Sequence, residues 1–386
     1  MNKGLVGLGL AAALLAAPAA AETVKIGFLG TFSGPAAIIG KHMKDALELG
    51  LDHVDHKLGG MDVEVLYGDD QRKPDVGKQM IDKWLKRDKV NFVTGIIWSN
   101  VMMAIHGPVT RSNAFLISTN AGPSPIAGAR CSENYFTTSW QNDNSPEAMG
   151  QYMTDQGVDN VYVMSPNYQA GKDMVSGFKR YFKGKVVAEV YTKLGQADYA
   201  AELTQLHAAK PDAVFVFLPG GMGIQFVKQY AQAGLKEQFP LYSVFTVDNL
   251  TLKPQGEAAI GVLSTAFWDE DLDNPENKRF VAAFKEKYGY TPSTFSAQTY
   301  DLPFFLDAAI REAGGLSDKD KLRAALKNAS FKSVRGKFAF NSNHFPIQNF
   351  YLRKVVKGPD GQPRMALQAT IFEDHKDNYG QDCKLK

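Results

Sequence analysis

Apolar residues in this chain follow two spacings, one typical of buried strands and the other of amphipathic helices. Residues 24–29 form a short, largely apolar run, and after it apolar side chains recur at helical intervals from Ile39 to Val54. The same succession of strand and helix returns at 90–97 and 99–110, and again at 213–218 and 221–233. Repeated units of this kind predict parallel sheets with helices on both faces.

The succession runs twice along the chain. It restarts near residue 142, becomes rich in helices after residue 274, and ends with two late strands at 350–356 and 365–372. We therefore predict an α/β protein of two Rossmann-like lobes, each with a parallel sheet. Because open parallel sheets bind ligands at the carboxyl ends of their strands, we expect the chemistry of this protein at the strand-to-helix junctions.

The first residues have the layout of an export signal. Lys3 is followed by an uncharged stretch that ends in small residues at 19–21, which predicts a secretory signal peptide over residues 1–21. No later segment has the long apolar run of a membrane span. We therefore expect a soluble mature protein in the periplasm.

Charge and cysteine content narrow the possible functions. The net charge is +2, with basic and acidic residues mixed along the chain, which argues against nucleic acid as a partner. The two cysteines are Cys131 and Cys383. In an oxidising compartment such a pair predicts one disulfide, the alternative being two unpaired buried thiols.

The sequence contains no pattern that predicts catalysis. It has no Gly-x-Ser-x-Gly elbow, phosphate-binding loop or zinc motif. Glycines at 220, 221 and 223 follow a predicted strand but lack the spacing of a dinucleotide site. We therefore expect neither enzymatic activity nor a bound cofactor or metal.

Short motifs at the predicted junctions resemble those of a known family. In order along the chain they are VKIG at 24–27, FSGP at 32–35, DD at 69–70, VTGIIWSN at 93–100, NAGPSP at 120–125, YQAG at 168–171, DY at 198–199, PDAV at 211–214 and TYD at 299–301. No single motif is specific. Their order and spacing, however, resemble the type I periplasmic binding proteins, in the branch that binds leucine, isoleucine and valine, over essentially the whole predicted mature chain.

The resemblance implies a domain organisation. Two lobes, joined by three crossover strands, would close on a ligand in the cleft between them. Lobe 1 would comprise residues 22–141 and 269–345, and lobe 2 would comprise residues 142–268 and 346–372. The tail, 373–386, would return to lobe 1, where Cys131 lies.

The resemblance also implies a function. The protein would be a monomeric, periplasmic solute-binding protein that captures a small carboxylate and delivers it to the membrane permease subunits of an ABC importer. A periplasmic sensor that acts through a membrane kinase is an alternative with the same fold.

In this family a serine hydroxyl and backbone N–H groups of the first lobe hold the ligand carboxylate. The matching positions are Ser99, Asn120, Ala121 and Gly122. Ser99 would begin a helix, where free N–H groups and the positive end of the helix dipole favour an anion, although a serine there can also be a plain helix cap. Asn100 and Ser124 are secondary candidates.

The second lobe would select the ligand. Tyr168 matches an aromatic residue that caps the ligand, the alternative being a surface turn. Amino-acid binders also have an acid that pairs with the ligand's α-ammonium group, because a desolvated charge needs a partner. Phe245 and Thr246 lie where that acid is expected, while Asp248 comes slightly later and fits a helix cap equally well. Gly122 and Ser124 also depart from those binders, which have threonine in this loop.

Aromatic residues are frequent at the same junctions. Candidates for the cleft are Phe32, Trp98, Trp140, Tyr168, Phe245 and Phe295, with Pro219 and Gly220 as a flat wall. Rings stack on aromatic ligands, although many of these residues could belong to the core instead. The runs 98–100 and 139–143 resemble relatives that bind aromatic or other non-amino carboxylates. We therefore favour an aromatic acid such as a benzoate or phenylpropenoate, with branched-chain or other amino acids as the alternative.

Overall fold

The structure is a computed structural model that describes residues 22–328 and 330–385. The predicted signal peptide, residues 1–21, lies outside the described residues. Within them the chain forms two sheets, each packed against helices.

The first sheet is built from the first third of the chain. Its strands are β1 Val24–Gly30, β2 Lys57–Leu58, β3 Met61–Asp69, β4 Phe92–Gly95, β5 Phe115–Ser118 and β6 Tyr135–Thr137. Their spatial order is β2-β3-β1-β4-β5-β6, and all neighbours are parallel except β2 and β3. The helices after these strands are α1 Ala37–Asp52, α2 Pro74–Lys83, α3 Ser99–Thr110 and α4 Ser124–Ala127.

The second sheet is larger and mixed. Its strands are β7 Asn160–Pro166, β8 Lys185–Thr192, β9 Ala213–Phe217, β10 Leu241–Val244, β11 Leu263–Ala266, β12 Ala339–Phe340, β13 Pro346–Lys357 and β14 Pro363–His375. Their order is β12-β13-β11-β10-β9-β7-β8, with β14 paired to β13. Strands β7 to β11 are parallel, whereas β12, β13 and β14 pair antiparallel.

The described residues form eight further α-helices. They are α5 Asn144–Asp155, α6 Gln169–Tyr181, α7 Ala200–Ala209, α8 Gly221–Gln232, α9 Asn249–Gln255, α10 Pro275–Tyr288, α11 Thr294–Ala313 and α12 Lys319–Asn328. Although α11 follows the second sheet in sequence, it packs along α1 beside the first sheet. Gly50 permits this approach, because a Cβ at that position would lie 2.9 Å from Cγ of Pro303.

The chain therefore passes between the sheets after β6, after β11 and again before β12. This architecture confirms the predicted α/β fold class, with two lobes built on mainly parallel sheets. The residue bounds given above for the lobes stay a prediction. In the described residues, no helix has the length and apolar character needed to cross a membrane.

The predicted disulfide is confirmed. Cys131, after α4, is bonded to Cys383, and their Cα atoms are 5.6 Å apart. The strand before the tail is longer than predicted, since β14 continues to His375. The bond ties the tail to a loop at the edge of the first sheet.

Candidate ligand-binding site

A small cavity lies between the two sheets, with about 20 Å³ of space that a water-sized sphere can reach. The lining residues are Ile39, Ile97, Trp98, Ser99, Asn120, Ala121, Trp140, Asn142, Tyr168, Ala170, Phe217, Pro219, Phe245 and Phe295.

Most of the lining residues follow the carboxyl ends of parallel strands, where ligands of such sheets bind. Ser99 and Ala121 come after β4 and β5 of the first sheet, whereas Tyr168 and Phe245 come after β7 and β10 of the second. Trp140 lies on a segment that connects the two lobes. A ligand in the cavity would therefore contact both lobes.

Ser99 is held as a hydrogen-bond donor. Its hydroxyl oxygen accepts a hydrogen bond from Nδ2 of Asn142 at 3.1 Å, and the same amide group donates to Oδ2 of Asp173 at 2.8 Å. Because a serine hydroxyl can accept and donate at once, its hydrogen remains available to a ligand. Ser99 is also the first residue of α3, whose first-turn N–H groups lack acceptors within the helix. This corner of the cavity can bind an anion.

The backbone after β5 is less available than the family resemblance implies. The N–H of Ala121 donates to the carbonyl oxygen of Ile96 at 3.0 Å, and that of Gly122 donates to Oδ1 of Asn142 at 3.2 Å. Gly122 is needed for close packing, since a Cβ there would lie 2.0 Å from the carbonyl oxygen of Trp140. The anion-binding groups that remain are therefore mainly those of Ser99 and α3.

The indole of Trp98 is fixed in the wall by a chain of hydrogen bonds. Its Nε1 donates to Oγ1 of Thr31 at 2.8 Å, and Thr31 donates to Oδ1 of Asp70 at 2.5 Å. Burial raises the pKa of Asp70 to about 6, although its hydrogen bond with Thr31 opposes the rise. The aromatic surface of Trp98 is thus presented in one orientation.

Aromatic rings form most of the remaining wall. Tyr168 lies between Trp98 and Phe217, with ring centroids 6.1 Å and 6.3 Å away. Phe245 contacts Trp140 at 4.5 Å and Phe295 at 5.7 Å. The φ angle of Phe245 is +53°, a left-handed conformation that is uncommon for a bulky residue and is found most often at functional sites. Burial raises the pKa of Tyr168, so its hydroxyl stays protonated at neutral pH.

The described wall of the cavity carries no formal charge. Asp248, the candidate partner for an ammonium group, is fully buried and is already paired with other residues of the protein. Its Oδ2 is 3.2 Å from Nη2 of the buried Arg353 and accepts a hydrogen bond from Thr294 at 2.9 Å. Asp248 is also the N-cap residue of α9, and its backbone N–H donates to Oγ1 of Thr251 at 3.0 Å. Its surroundings are those of a structural residue.

The family of the chain is shown by a match that covers most of the sequence. The sequence profile of the family described as Periplasmic binding protein matches residues 23–361. The chain belongs to the periplasmic binding protein family. This confirms the family predicted from the motifs, and neither the family nor the solved neighbours named below are described as enzymes.

Relatives of this periplasmic binding protein have two kinds of ligand in their names. The Leu/Ile/Val-binding protein homolog 6 of Brucella melitensis is 30% identical over 364 residues, covering 90% of this chain and 91% of that protein. An ABC-transporter solute-binding protein of R. palustris, solved with benzoate, is 32% identical with a TM-score of 0.89, covering 94% of this chain and 100% of that chain. One from Rhodopseudomonas palustris BisB5, solved with 3,4-dihydroxybenzoic acid, is 31% identical with a TM-score of 0.87, covering 92% and 99%. The solved neighbours match the predicted aromatic-acid-binding subgroup.

The structure brings many of the predicted site residues of this periplasmic binding protein together. Those that line the cavity are Trp98, Ser99, Asn120, Ala121, Trp140, Tyr168, Pro219, Phe245 and Phe295. Those outside its lining are Phe32, Asn100, Gly122, Ser124, Gly220, Thr246 and Asp248. Phe32 packs against Phe28 and Tyr67, and Thr246 accepts a hydrogen bond from the backbone of Leu218. Gly220, with φ +64°, precedes α8.

The remaining lining residues were missed in the sequence. They are Ile39, Ile97, Asn142, Ala170 and Phe217. Phe217 ends β9, and the rule that ligands bind at strand ends could have found it. Asn142 has no such local signal, because its role depends on contacts with Ser99 and Asp173, which are distant in sequence.

Proposed function

We propose that this protein captures a small aromatic carboxylate between its lobes in the periplasm and delivers it, unmodified, to the permease subunits of an ABC importer. The composition of the cavity wall carries the proposal. The wall combines one anion-binding corner with six aromatic side chains and no charged group, the rings being those of Trp98, Trp140, Tyr168, Phe217, Phe245 and Phe295.

The carboxylate would bind at Ser99. The hydroxyl of Ser99 would donate to one carboxylate oxygen, and the N–H groups of the first turn of α3 would provide the positive potential that the neutral wall lacks. The aromatic ring of the ligand would then lie among the rings of the second lobe, which favours a flat ring over a branched aliphatic chain.

An amino acid fits the wall less well. Its α-ammonium group would lose water on binding and would need an acidic partner. Asp248 already has Arg353 as its partner, and the lining residues in the described chain include no carboxylate. This argument favours an acid without an amino group.

Delivery would follow from closure of the lobes. The lining residues come from both lobes, so a bound ligand would favour the closed arrangement over an open one. Transport is also the context of the solved relatives that contain benzoate and 3,4-dihydroxybenzoic acid, both of which are ABC-transporter proteins.

A branched-chain amino acid is the second candidate, because the relative from Brucella melitensis is named for leucine, isoleucine and valine. A thermal-shift screen of ligand-free protein separates the two. The test ligands are benzoate, 4-hydroxybenzoate, leucine and valine, with benzamide as a neutral analogue of benzoate. A ligand at about 100 times its dissociation constant stabilises the folded state by about 2.7 kcal/mol, which raises the melting temperature by a few degrees.

We expect benzoate or its hydroxylated derivative to raise the melting temperature, and benzamide to do so much less. A shift with leucine or valine and none with the aromatic acids would disprove the proposed ligand class. A shift with none of the carboxylates would remove Ser99 as the anchor.

A further inference from the structure

One hydrogen-bond donor in the cavity wall is left without a partner. Trp140 is 3% exposed, and its Nε1 makes no hydrogen bond within residues 22–328 and 330–385. Its ring lines the cavity and packs against Phe245, with centroids 4.5 Å apart. Buried indole N–H groups normally have an acceptor, because a donor removed from water without one destabilises the fold.

Four other buried polar side chains of the wall make hydrogen bonds within the protein: Trp98, Ser99, Asn120 and Asn142. The second indole of the wall is the closest comparison, since Nε1 of Trp98 donates to Thr31 at 2.8 Å. The side-chain amides of Asn120 and Asn142 both donate and accept hydrogen bonds within the protein. Among these buried polar side chains, Trp140 is thus the one that makes no hydrogen bond of any kind within the described residues.

We propose that the indole N–H of Trp140 binds an oxygen atom of the ligand. This extends the proposed function, on which it rests for the class of ligand. Two parts of an aromatic acid could supply the oxygen, either a hydroxyl or methoxyl group on the ring or the carboxylate itself. In both cases Trp140 determines specificity, because a ligand without an oxygen at this point leaves the donor buried and unpaired.

The test removes the N–H and keeps the ring. Trp140 is replaced by β-(3-benzothienyl)alanine through stop-codon suppression, which exchanges N–H for sulfur in a ring of nearly the same shape. Trp140→Phe is the simpler second variant. Calorimetry then measures binding of benzoate, 4-methylbenzoate, 3-hydroxybenzoate, 4-hydroxybenzoate and leucine to each protein.

The same replacement at Trp98 is the matched control. There the N–H is paired with Thr31, so its removal should lower the melting temperature of the ligand-free protein. At Trp140 the ligand-free protein should keep its melting temperature, because the N–H has no partner to lose. A purely structural role for the Trp140 N–H predicts the opposite.

Each binding result supports or overturns the proposal. Weaker binding confined to a hydroxylated benzoate, by about 3- to 10-fold, assigns the acceptor to the ring substituent. An equal loss for every acid assigns it to the carboxylate. Unchanged affinity for whichever ligands the wild-type protein binds overturns the role of Trp140.

If the proposed ligand class is wrong, the binding measurements give a different set of results. The wild-type protein would then bind leucine and none of the aromatic acids. In that case, weaker binding of leucine by the Trp140 replacement would still support an oxygen acceptor at this position, and unchanged binding would overturn it.

Discussion

Two buried aspartates of the second lobe have different surroundings. Asp173, in α6, is 3% exposed and accepts hydrogen bonds from uncharged donors only: the N–H and hydroxyl of Ser124, the amide of Asn142 and the amide of Gln169. Asp248 is 0% exposed and faces the guanidinium of Arg353. The carboxylate of Asp173 therefore interacts with neutral hydrogen-bond donors, whereas that of Asp248 interacts with a cation.

The partners show what each carboxylate does. Asp173 holds the amide of Asn142, which orients Ser99, so its influence extends into the cavity. It also contacts Ser124 of α4, so it joins the two lobes beside the cavity. Asp248 and Arg353 connect α9 to β13 within the second lobe, and Asp248 also accepts a hydrogen bond from Thr294 of α11. A buried acid near a binding site is thus a candidate for ligand recognition only when its hydrogen bonds lead to the ligand.

The largest effect should come from Arg353→Met. This change leaves Asp248 buried without its cation, so the free energy of unfolding should fall by about 3 to 5 kcal/mol, measured by denaturant titration. The affinity for an aromatic acid should stay within about a factor of three, because no hydrogen bond connects the pair to Ser99. The double variant Asp248→Asn with Arg353→Met should recover much of the stability. A large loss of affinity in a folded Arg353→Met protein would contradict the structural role of Asp248.

The next largest effect is expected for Asn142→Asp, on the affinity for benzoate. The new carboxyl group would face that of Asp173, so the two would share one proton. The negative charge of the pair would then lie closer to the ligand carboxylate and could accept the hydroxyl hydrogen of Ser99, so binding of benzoate should weaken by about 3 kcal/mol. Calorimetry with benzoate and with neutral benzamide is the measurement. The preference for benzoate over benzamide should be lost or reversed. An equal loss for both ligands would mean that Asn142 acts on the fold and not on the carboxylate.

Asp70 extends the comparison to a third buried aspartate. Like Asp173 it accepts hydrogen bonds from uncharged donors, the hydroxyl of Thr31 and the backbone N–H of Arg72. Burial raises its pKa from 3.8 to about 6, so the folded state binds this proton more tightly than the unfolded chain does. The resulting stabilisation is complete below the unfolded value and is lost as the pH rises through about 6.

Asp70→Asn removes this titration. The free energy of unfolding of the variant, relative to that of the wild-type protein, should therefore rise by about 2 to 3 kcal/mol between about pH 4 and about pH 7. Denaturant titrations at several pH values measure the difference. A difference that is constant with pH would show that Asp70 titrates as an ordinary carboxyl group.

The smallest of these effects is that of Ser99→Ala. Loss of one hydrogen bond to a charged group should weaken binding of every aromatic carboxylate by about 2 kcal/mol, by calorimetry. The melting temperature of the ligand-free protein should change little, because Asn142 keeps its bond to Asp173. Unchanged affinity would show that Ser99 does not contact the ligand. Asp173 would then have no more influence on binding than Asp248.

Much of the fold could be predicted because its signals are local. The helix expected at 99–110 is present as α3 with the same bounds, since it is specified by its own apolar spacing. The strand expected at 90–97 is shorter, Phe92–Gly95. It ends where Ile96 adopts a positive φ of +53° and donates its N–H to Leu29 instead of extending the ladder.

The site was predictable only in part, for the opposite reason. Ser99 and Tyr168 could be named because family motifs and strand ends mark them in the sequence. The role of Asp173 depends on Asn142 and Ser124, which are 31 and 49 residues away. From the sequence, Asp248 could be either a ligand contact or a helix cap. The structure shows that it pairs with Arg353, 105 residues later in the chain. No local pattern contains such contacts.

The disulfide has a consequence for the timing of biogenesis. Its two cysteines are 252 residues apart, so Cys131 emerges from the ribosome long before Cys383 exists. At a synthesis rate of about 5 to 20 residues per second, this thiol waits on the order of 10 to 50 seconds for its partner. The chain contains no third cysteine, so a wrong bond within one molecule cannot form during that interval. Oxidation should therefore need no isomerase, and errors in pairing should take the form of covalent dimers.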